Sequence, residues 1–335
     1  MTPKITIGIV THNRSHYLAE AIASSFAQNT PCEFEVLVVD DGSSDDTWRY
    51  LSSIADPRLR AVRLEKNSGR PVARNRVVEE MRGEFLVWLD DDDVLTSKAL
   101  ATHLATLESR PDADVIYGNL YACDDILNIT RELRYREIDP RAMLYTFLFY
   151  DPVPNGGSMI RRSLFDKVGA YDLSFPRAQD YDFWSRAALN NAVFVHNNNF
   201  VYKYRGHSGN FLVGEDNPEF NSLNTRVVRN IVLNAPLQKI FVNLDWSKDS
   251  RKPAAHAMAV VSMIFCKYEA YDLALDALDK SESLFQSREA ESLRGFVFNQ
   301  MGEHEQAAHF MGRALLQHNP GLGKLLSNVG ISYGA

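Results

Sequence analysis

The sequence predicts an α/β fold in which a mostly parallel sheet is flanked by helices, followed by a smaller region built only of helices. Short β-branched runs alternate with helical patterns over about the first hundred residues, as they do in parallel βαβ units. Polar residues directly follow three of those runs. Beyond about residue 220 the strand pattern fades and only helical patterns remain.

Four strands and three helices are predicted at the start of the chain. The strands are ITIGIVT (5–11), FEVLVVDDG (34–42), LRAVRLEK (59–66) and GEFLVWLDD (83–91). The helices between them are HYLAEAIASSFAQ (16–28), DDTWRYLSSIA (45–55) and PVARNRVVEEM (71–81). Polar clusters follow at 11–14, 40–44 and 90–93. Because ligands of open parallel sheets bind at the carboxyl edge of the strands, we expect these clusters to face one crevice.

The pattern loosens after residue 100. The expected elements are a helix from 96, a strand at 113–122, a helix at 179–191, a strand or hairpin at 192–205 and a loop at 207–221. The predicted division of the chain is an α/β domain at 1–215, a helical linker at 216–250 and a helical domain at 251–335.

The helical tail contains a weak internal repeat. With a shift of 33 residues, Phe265 aligns with Phe298 and Ala274 aligns with Ala307. This shift is close to the period of about 34 residues in tetratricopeptide repeats. Two copies are too few to cover their own apolar faces, so we expect the tail to pack on the first domain, a protein partner or another subunit. An ordinary helical appendage is the alternative.

Composition excludes several classes of function. The chain has 335 residues and a net charge of −7, so no general basic field attracts nucleic acid or an anionic membrane. The three cysteines are scattered without metal-binding spacing, and no apolar stretch reaches the roughly 20 residues of a membrane span. We therefore expect a cytoplasmic protein.

Four consecutive aspartates, 90–93, stand in the run VWLDDDDVL. Alone, they fit an acidic turn that caps the next helix, and they also fit a divalent cation held by carboxylates with an anionic ligand beyond it. Their position at a strand end favours the cation. Within the run, Asp93 is expected to open the helix that follows.

Three further motifs carry candidate chemistry. Asp40 and Asp41 in VVDDGSSDDT suit a nucleobase or ribose hydroxyl, or else a helix cap. The arginines of NSGRPVARN suit a diphosphate, or else surface salt bridges. Asp180 in QDYDFW suits a general base beside an aromatic wall, or else a structural carboxylate.

The ordered set THNR, VVDDGSSDDT, NSGRPVARN, GEFLVWLDDDD, RRSLFDKVGAYD, QDYDFW and YRGH resembles the family 2 glycosyltransferases, which have the GT-A fold. The resemblance runs from about residue 4 to residue 208 and leaves out the helical tail. It implies a nucleoside diphosphate sugar donor, most simply a UDP-sugar, a divalent cation such as Mn²⁺ or Mg²⁺, inversion at the anomeric carbon, and an acceptor hydroxyl on a glycan or protein-linked saccharide.

The resemblance also implies roles for individual residues. The residues expected to bind the nucleotide sugar are Thr11, Arg14, Asp40, Asp41, Gly69, Arg74, Asp90 and Asp91. Asp92 and His207 are expected to bind the metal, with Asp90 beside its water shell, and Asp180 matches the base that deprotonates the acceptor. Gly156, Tyr181 and Trp184 are candidates for an acceptor wall, for which core packing is the alternative.

This chain departs from the family pattern at two positions. Gln179 replaces the acidic residue that usually precedes the base, and Val77 replaces a common glycine. Two other functions stay open at this point. LDDDDV also fits the nucleophile motif of haloacid-dehalogenase-like phosphatases, with Asp90 as the nucleophile. A non-catalytic GT-A scaffold carrying an interaction tail is the other.

Overall fold

A computed structural model describes residues 3–207 and 218–318. The chain divides into two compact units, Met1–Asp216 and Asn217–Ala335. The first unit is a sheet flanked by helices and the second is helical, so the predicted fold class is confirmed. Among the helices of both described segments, none combines the length and the apolar character needed to cross a membrane.

The first unit contains the strands and helices expected from the βαβ pattern. Its strands are β1 Ile5–Thr11, β2 Phe34–Asp40, β3 Leu59–Arg63, β4 Phe85–Asp90, β5 Val94–Leu95, β6 Val115–Cys123, β7 Ile129–Leu133, β8 Met159–Arg161 and β9 Phe194–Arg205. Its helices are α1 Ser15–Phe26, α2 Thr47–Ser53, α3 Arg70–Glu80, α4 Ala99–Ser109, α5 Met143–Phe147, α6 Arg162–Val168 and α7 Gln179–Leu189. The segment predicted as a strand or hairpin at 192–205 forms the single strand β9.

The nine described strands form one sheet in the order β3-β2-β1-β4-β8-β6-β9-β5, with β7 paired to β6. Strands β1 to β4, the parallel half, run parallel to their neighbours within that group. In the mixed half, β5 to β9, strand β8 runs antiparallel to both β4 and β6, whereas β6 and β9 are parallel.

The core lies on both faces of the central strands. Ile5, Ile7 and Ile9 of β1 have no exposed surface, and every residue of β2 is buried, as expected when helices cover a parallel sheet on both sides. Helix α3 approaches β1 closely at Gly8, where a Cβ atom would lie 2.6 Å from Cγ1 of Val77. This close packing brings the start of α3 to the carboxyl edge of the sheet.

The second unit consists of helices. They are α8 Pro218–Asn234, α9 Leu237–Ile240, α10 Arg251–Lys267, α11 Tyr271–Leu284, α12 Arg288–Gln300 and α13 His304–His318. Helices α10 and α11 pack as one pair, and α12 and α13 pack as a second. Ala274 and Ala307 are buried at equivalent positions of the two pairs. The loop predicted at 207–221 lies mostly outside the described residues, and its last residues form the start of α8 instead.

Candidate active site

The carboxyl ends of β1, β2 and β4 meet at one edge of the sheet. In the strand register Thr11 is paired with Asp40, and Val10 is paired with Asp90. The polar residues that follow the three strands are therefore neighbours in space. The convergence predicted from the strand ends is confirmed.

The aspartate that ends β2 and the one that follows it have different partners. Asp40 is fully buried and accepts a hydrogen bond from the Ser43 amide at 3.0 Å, so its position favours a structural role in the turn. Asp41 accepts hydrogen bonds from the backbone N–H groups of Ser68 and Gly69, at 2.7 and 2.9 Å. Asp41 thereby fixes the loop that leads into α3. Gly69 has a φ of 93° in that loop, which glycine adopts without strain.

The aspartates at 90–93 occupy different environments. Asp90 is the most exposed of them, with 44% of its side chain accessible. Asp91 and Asp92 are buried, and burial together with the charge of Asp92 raises the pKa of Asp91 to about 7. Asp93 is almost fully buried, and this burial raises its pKa well above the ordinary carboxyl value. The run is therefore not a simple solvated acidic turn.

Asp93 binds the strand β9 and not the next helix. Its carboxylate accepts hydrogen bonds from the Tyr202 hydroxyl at 2.8 Å and from the Arg205 backbone N–H at 2.6 Å. Helix α4 begins only at Ala99, so the expected role of Asp93 in opening that helix is wrong. A buried carboxylate needs fixed donors, and β9 supplies them.

Asp92 joins three distant parts of the chain. Its Oδ2 atom accepts a hydrogen bond from Nη1 of Arg14 and lies 3.0 Å from Nε2 of His207. The same Arg14 nitrogen lies 3.6 Å from Oδ1 of Asp91. The His207 ring is stacked on Tyr17, with 5.1 Å between ring centroids. The motifs THNR, LDDDD and YRGH therefore meet at one carboxylate.

Arg74 reaches the same edge from α3. It is almost fully buried, and its guanidinium lies over the rings of Trp88 and Tyr171, 5.3 and 5.7 Å from their centroids. Nη2 donates to Asp90 at 3.3 Å, whereas the buried Nη1 has no hydrogen-bond partner among the described residues. A buried guanidinium with an unused donor suits an anionic oxygen of a ligand.

Asp180 lies half-buried in the first turn of α7. It interacts electrostatically with two residues of the site. Its charge acts on the buried Arg74, which connects it to Asp90. Burial, and then the charge of Asp180, raise the pKa of Asp151 well above its ordinary value. The charge of Asp180 therefore acts on Arg74 at the carboxyl edge of the sheet and on a second carboxyl group, that of Asp151.

The three candidates for an acceptor wall have different placements. The loop before β8 brings Gly156 against Tyr202, where a Cβ atom would lie 2.5 Å from Cζ of the ring. The Tyr202 hydroxyl accepts a hydrogen bond from the Asp90 amide at 3.1 Å, so Gly156 lies beside the site. Tyr181 and Trp184 are buried and pack in the core, which is the alternative stated for them above.

Three residues near the site were not predicted. They are Asp151 and Asn155, which flank the prolines of DPVPNGG, and Arg205, which precedes Gly206 and His207. Arg205 is almost fully buried and its Nε donates to the Asp92 carbonyl at 2.6 Å. The arginine of YRGH was available as a signal, because an arginine that is buried at the end of a strand needs fixed acceptors.

Asp92 and His207 fit a divalent cation. Their Oδ2 and Nε2 atoms are 3.0 Å apart. That is about the separation of two adjacent ligands that each lie ~2.1 Å from an octahedral ion. Within residues 3–207 and 218–318, no group of three or more His, Cys, Asp or Glu side chains is arranged to hold a metal. Two protein ligands suffice where the phosphates of a substrate and water complete the shell, which is usual for Mg²⁺.

The chain matches known glycosyltransferases. The family model described as Glycosyl transferase family 2 matches residues 6–169. An uncharacterised glycosyltransferase of Bacillus subtilis is 31% identical over 194 residues, which cover 55% of this chain and 68% of that protein. One from Methanocaldococcus jannaschii is 28% identical over 206 residues, 61% of this chain and 71% of that protein. A Rickettsia felis relative is 29% identical, but the match spans only 37% of its length.

Solved structures have the same fold. S. aureus TarS 1–349 in complex with UDP-GlcNAc has a TM-score of 0.63 at 20% identity, covering 92% of this chain and 90% of that chain. A mannosyltransferase from Pyrobaculum calidifontis in complex with GDP-Man and Mn²⁺ has a TM-score of 0.50 at 17% identity, covering 95% of this chain and 87% of that chain. These likenesses show the GT-A fold. Together with the family model and the Bacillus relative, they lead to one assignment: the chain belongs to the family 2 glycosyltransferases.

Proposed function

We propose that this protein is a metal-dependent, inverting glycosyltransferase. It moves a sugar from a nucleoside diphosphate sugar, with uridine as the base, to a hydroxyl of a glycan or protein-linked saccharide. The observation that carries the proposal is the meeting of Asp92 and His207 at 3.0 Å. In the same aspartate run, Asp90 bonds to the buried Arg74, whose charge interacts with Asp180. Because the chain belongs to the family 2 glycosyltransferases, we set aside the phosphatase alternative, in which Asp90 is a nucleophile.

The donor side is proposed at the ends of β1, β2 and β4. Thr11, at the end of β1, and Asp41, directly after β2, would bind the base and ribose, and Asp41 also holds the loop that leads into α3. The unused Nη1 donor of Arg74 suits a phosphate oxygen. A uridine donor is supported by the likeness to TarS in complex with UDP-GlcNAc, although the mannosyltransferase neighbour holds GDP-Man.

Asp92 and His207 would hold Mn²⁺ or Mg²⁺. A bound cation neutralises the negative charge that grows on the leaving diphosphate. Asp180 takes the proton from the acceptor hydroxyl as it attacks the sugar. Arg74 holds the donor-binding residues and the general base Asp180 in a fixed arrangement, because it bonds to Asp90 and interacts with Asp180. A single displacement by the activated hydroxyl inverts the anomeric carbon.

The proposal is tested by thermal unfolding with UDP, dTDP, GDP and their sugars, with and without Mn²⁺. We expect UDP and a UDP-sugar to raise the Tm only when Mn²⁺ is present, since a ligand at 100 times its Kd adds about 2.7 kcal/mol of stability. Asp92→Asn should lose this response, and Asp112→Asn, an exposed aspartate paired with Arg110, should keep it. A chain that responds to no nucleotide would be the non-catalytic scaffold instead.

We further propose that the helical unit is tetratricopeptide-like and self-associates or binds a protein partner. The two helix pairs and their buried Ala274 and Ala307 support the repeat. Met311 and Leu315 leave an apolar face of α13 partly exposed. Light scattering on the whole protein tests self-association: an oligomer that Leu315→Glu dissociates supports it, and a monomeric wild type rejects it.

A further inference from the structure

Arg14 and a divalent cation require the same oxygen atom. Oδ2 of Asp92 accepts the hydrogen bond from Nη1 of Arg14 and also faces Nε2 of His207 at 3.0 Å. If Asp92 and His207 hold the cation, as proposed above, that cation lies on the oxygen that Arg14 uses. A guanidinium and a divalent cation at one carboxylate oxygen repel each other, so each weakens binding of the other there.

The arginine is held at this place by more than one charge. Its Nη1 also lies 3.6 Å from Asp91, and Asp90 adds a further attraction. Removing Arg14 would leave the carboxylates of Asp91 and Asp92 with less compensation in a buried setting, which is unfavourable for charged groups. The guanidinium therefore compensates the negative charge of these aspartates, as a bound cation would.

The backbone that carries Arg14 is fixed, and its side chain is the part that can move. The preceding Asn13 accepts a hydrogen bond from the Ser44 amide at 2.8 Å, and its own N–H donates to Ser43 Oγ at 2.9 Å. These bonds tie the turn after β1 to the turn after β2. The Arg14 side chain itself is 29% exposed, so it has room to leave Asp92.

We propose that Arg14 is a positioning residue that couples metal binding to nucleotide binding. Without nucleotide, its guanidinium competes with the cation for Asp92. When a nucleoside diphosphate enters, its negative charge draws Arg14 away and helps to hold the cation at Asp92 and His207. Each ligand then strengthens binding of the other by the same factor, as linkage requires. This inference rests on the proposed function.

The test is Mn²⁺ binding followed by electron paramagnetic resonance, with and without UDP, which needs no turnover. Arg14→Gln should bind Mn²⁺ alone about tenfold more tightly than wild type, the scale of one charge-assisted hydrogen bond. UDP should then strengthen Mn²⁺ binding by a smaller factor in this variant than in wild type. Arg14→Lys keeps a cation at the position and should stay closer to wild type. The matched control Arg141→Gln removes an equal charge from an exposed pair with Asp139 and should not change Mn²⁺ affinity.

The outcomes separate this inference from the proposed function. An Arg14→Gln protein that binds Mn²⁺ alone no more tightly than wild type overturns the coupling role, even if UDP and Mn²⁺ bind together. If Arg14→Gln does not fold, Arg14→Met is measured against the same two criteria. A wild type that takes up no Mn²⁺ even with UDP overturns the proposed metal use, and the coupling with it.

Discussion

The parallel half of the sheet differs from the mixed half in how it holds functional side chains. In the parallel half, Asp41 and Asp90 stand at or directly after strand ends, so the strand register sets their positions. In the mixed half, Asp180 is on a helix and His207 follows the last strand. The His207 ring contacts the carboxylate of Asp92, 115 residues away along the chain. We infer that strand register is enough to place the residues of the parallel half, whereas the placement of His207 depends on an individual contact.

The largest expected effect is that of Asp180→Asn, which should slow sugar transfer without weakening donor binding. Asp180→Asn should lower the transfer rate by about 10²-fold or more, because the acceptor hydroxyl loses its proposed base. Binding of UDP with Mn²⁺ should stay within about twofold of wild type, because the donor side is intact. Asp92→Asn should instead lose both. Steady-state kinetics and calorimetry measure the two quantities, and normal turnover by Asp180→Asn would remove Asp180 from the mechanism.

Removing the hydrogen bonds that the Tyr202 hydroxyl makes between the two halves should have the next largest effect. Its hydroxyl donates to the buried Asp93 and accepts from the Asp90 amide. Tyr202→Phe leaves both without that partner, so we expect a loss of about 3 kcal/mol in the free energy of unfolding. Tyr204→Phe, two residues along the same strand, is the control and should change it by less than about 0.5 kcal/mol. Urea unfolding measures both, and equal losses would contradict this account.

A histidine makes the mixed half sensitive to acid. His103 is fully buried on α4, where Nε2 donates to the Gly157 carbonyl at 2.7 Å and Nδ1 accepts from the Asn197 amide at 3.2 Å. Burial lowers its pKa to about 4. Because an unfolded histidine has a pKa of about 6.5, the unfolded chain binds more protons between these values, and stability falls as the pH falls through that window.

We therefore expect this residue to remove about 2 kcal/mol of stability between pH 7.5 and pH 5. His103→Gln should be less stable than wild type at neutral pH and should lack that part of the pH dependence. Urea unfolding at the two pH values gives the difference directly. A variant with the same pH dependence as wild type would show that another group is responsible.

The sequence predicted the parallel half better than the mixed half for a physical reason. Strands of the βαβ pattern are visible within short windows, and polar residues at their ends must share an edge, so Asp41 and Asp90 were found. The partner of Asp93 was missed because Tyr202 is 109 residues away along the chain. Asp151 was missed because nothing in its local pattern reveals its electrostatic interaction with Asp180. Family resemblance supplied Asp180 and His207, which local patterns alone left open.

The smallest expected effect is a gain in the free energy of unfolding and not a loss. Both polar atoms of the Asn155 side chain are buried without a hydrogen-bond partner among the described residues, whereas the Asn197 amide donates to Thr102 at 3.0 Å. An unpaired buried amide lowers stability, so Asn155→Leu should raise the free energy of unfolding by about 1 kcal/mol. Asn197→Leu should lower it by about 1–3 kcal/mol. Urea unfolding compares the two variants. If Asn155→Leu is more stable but transfers sugar more slowly, the loop keeps this amide for a ligand at the expense of stability. If Asn155→Leu is less stable than wild type, the amide already has a partner.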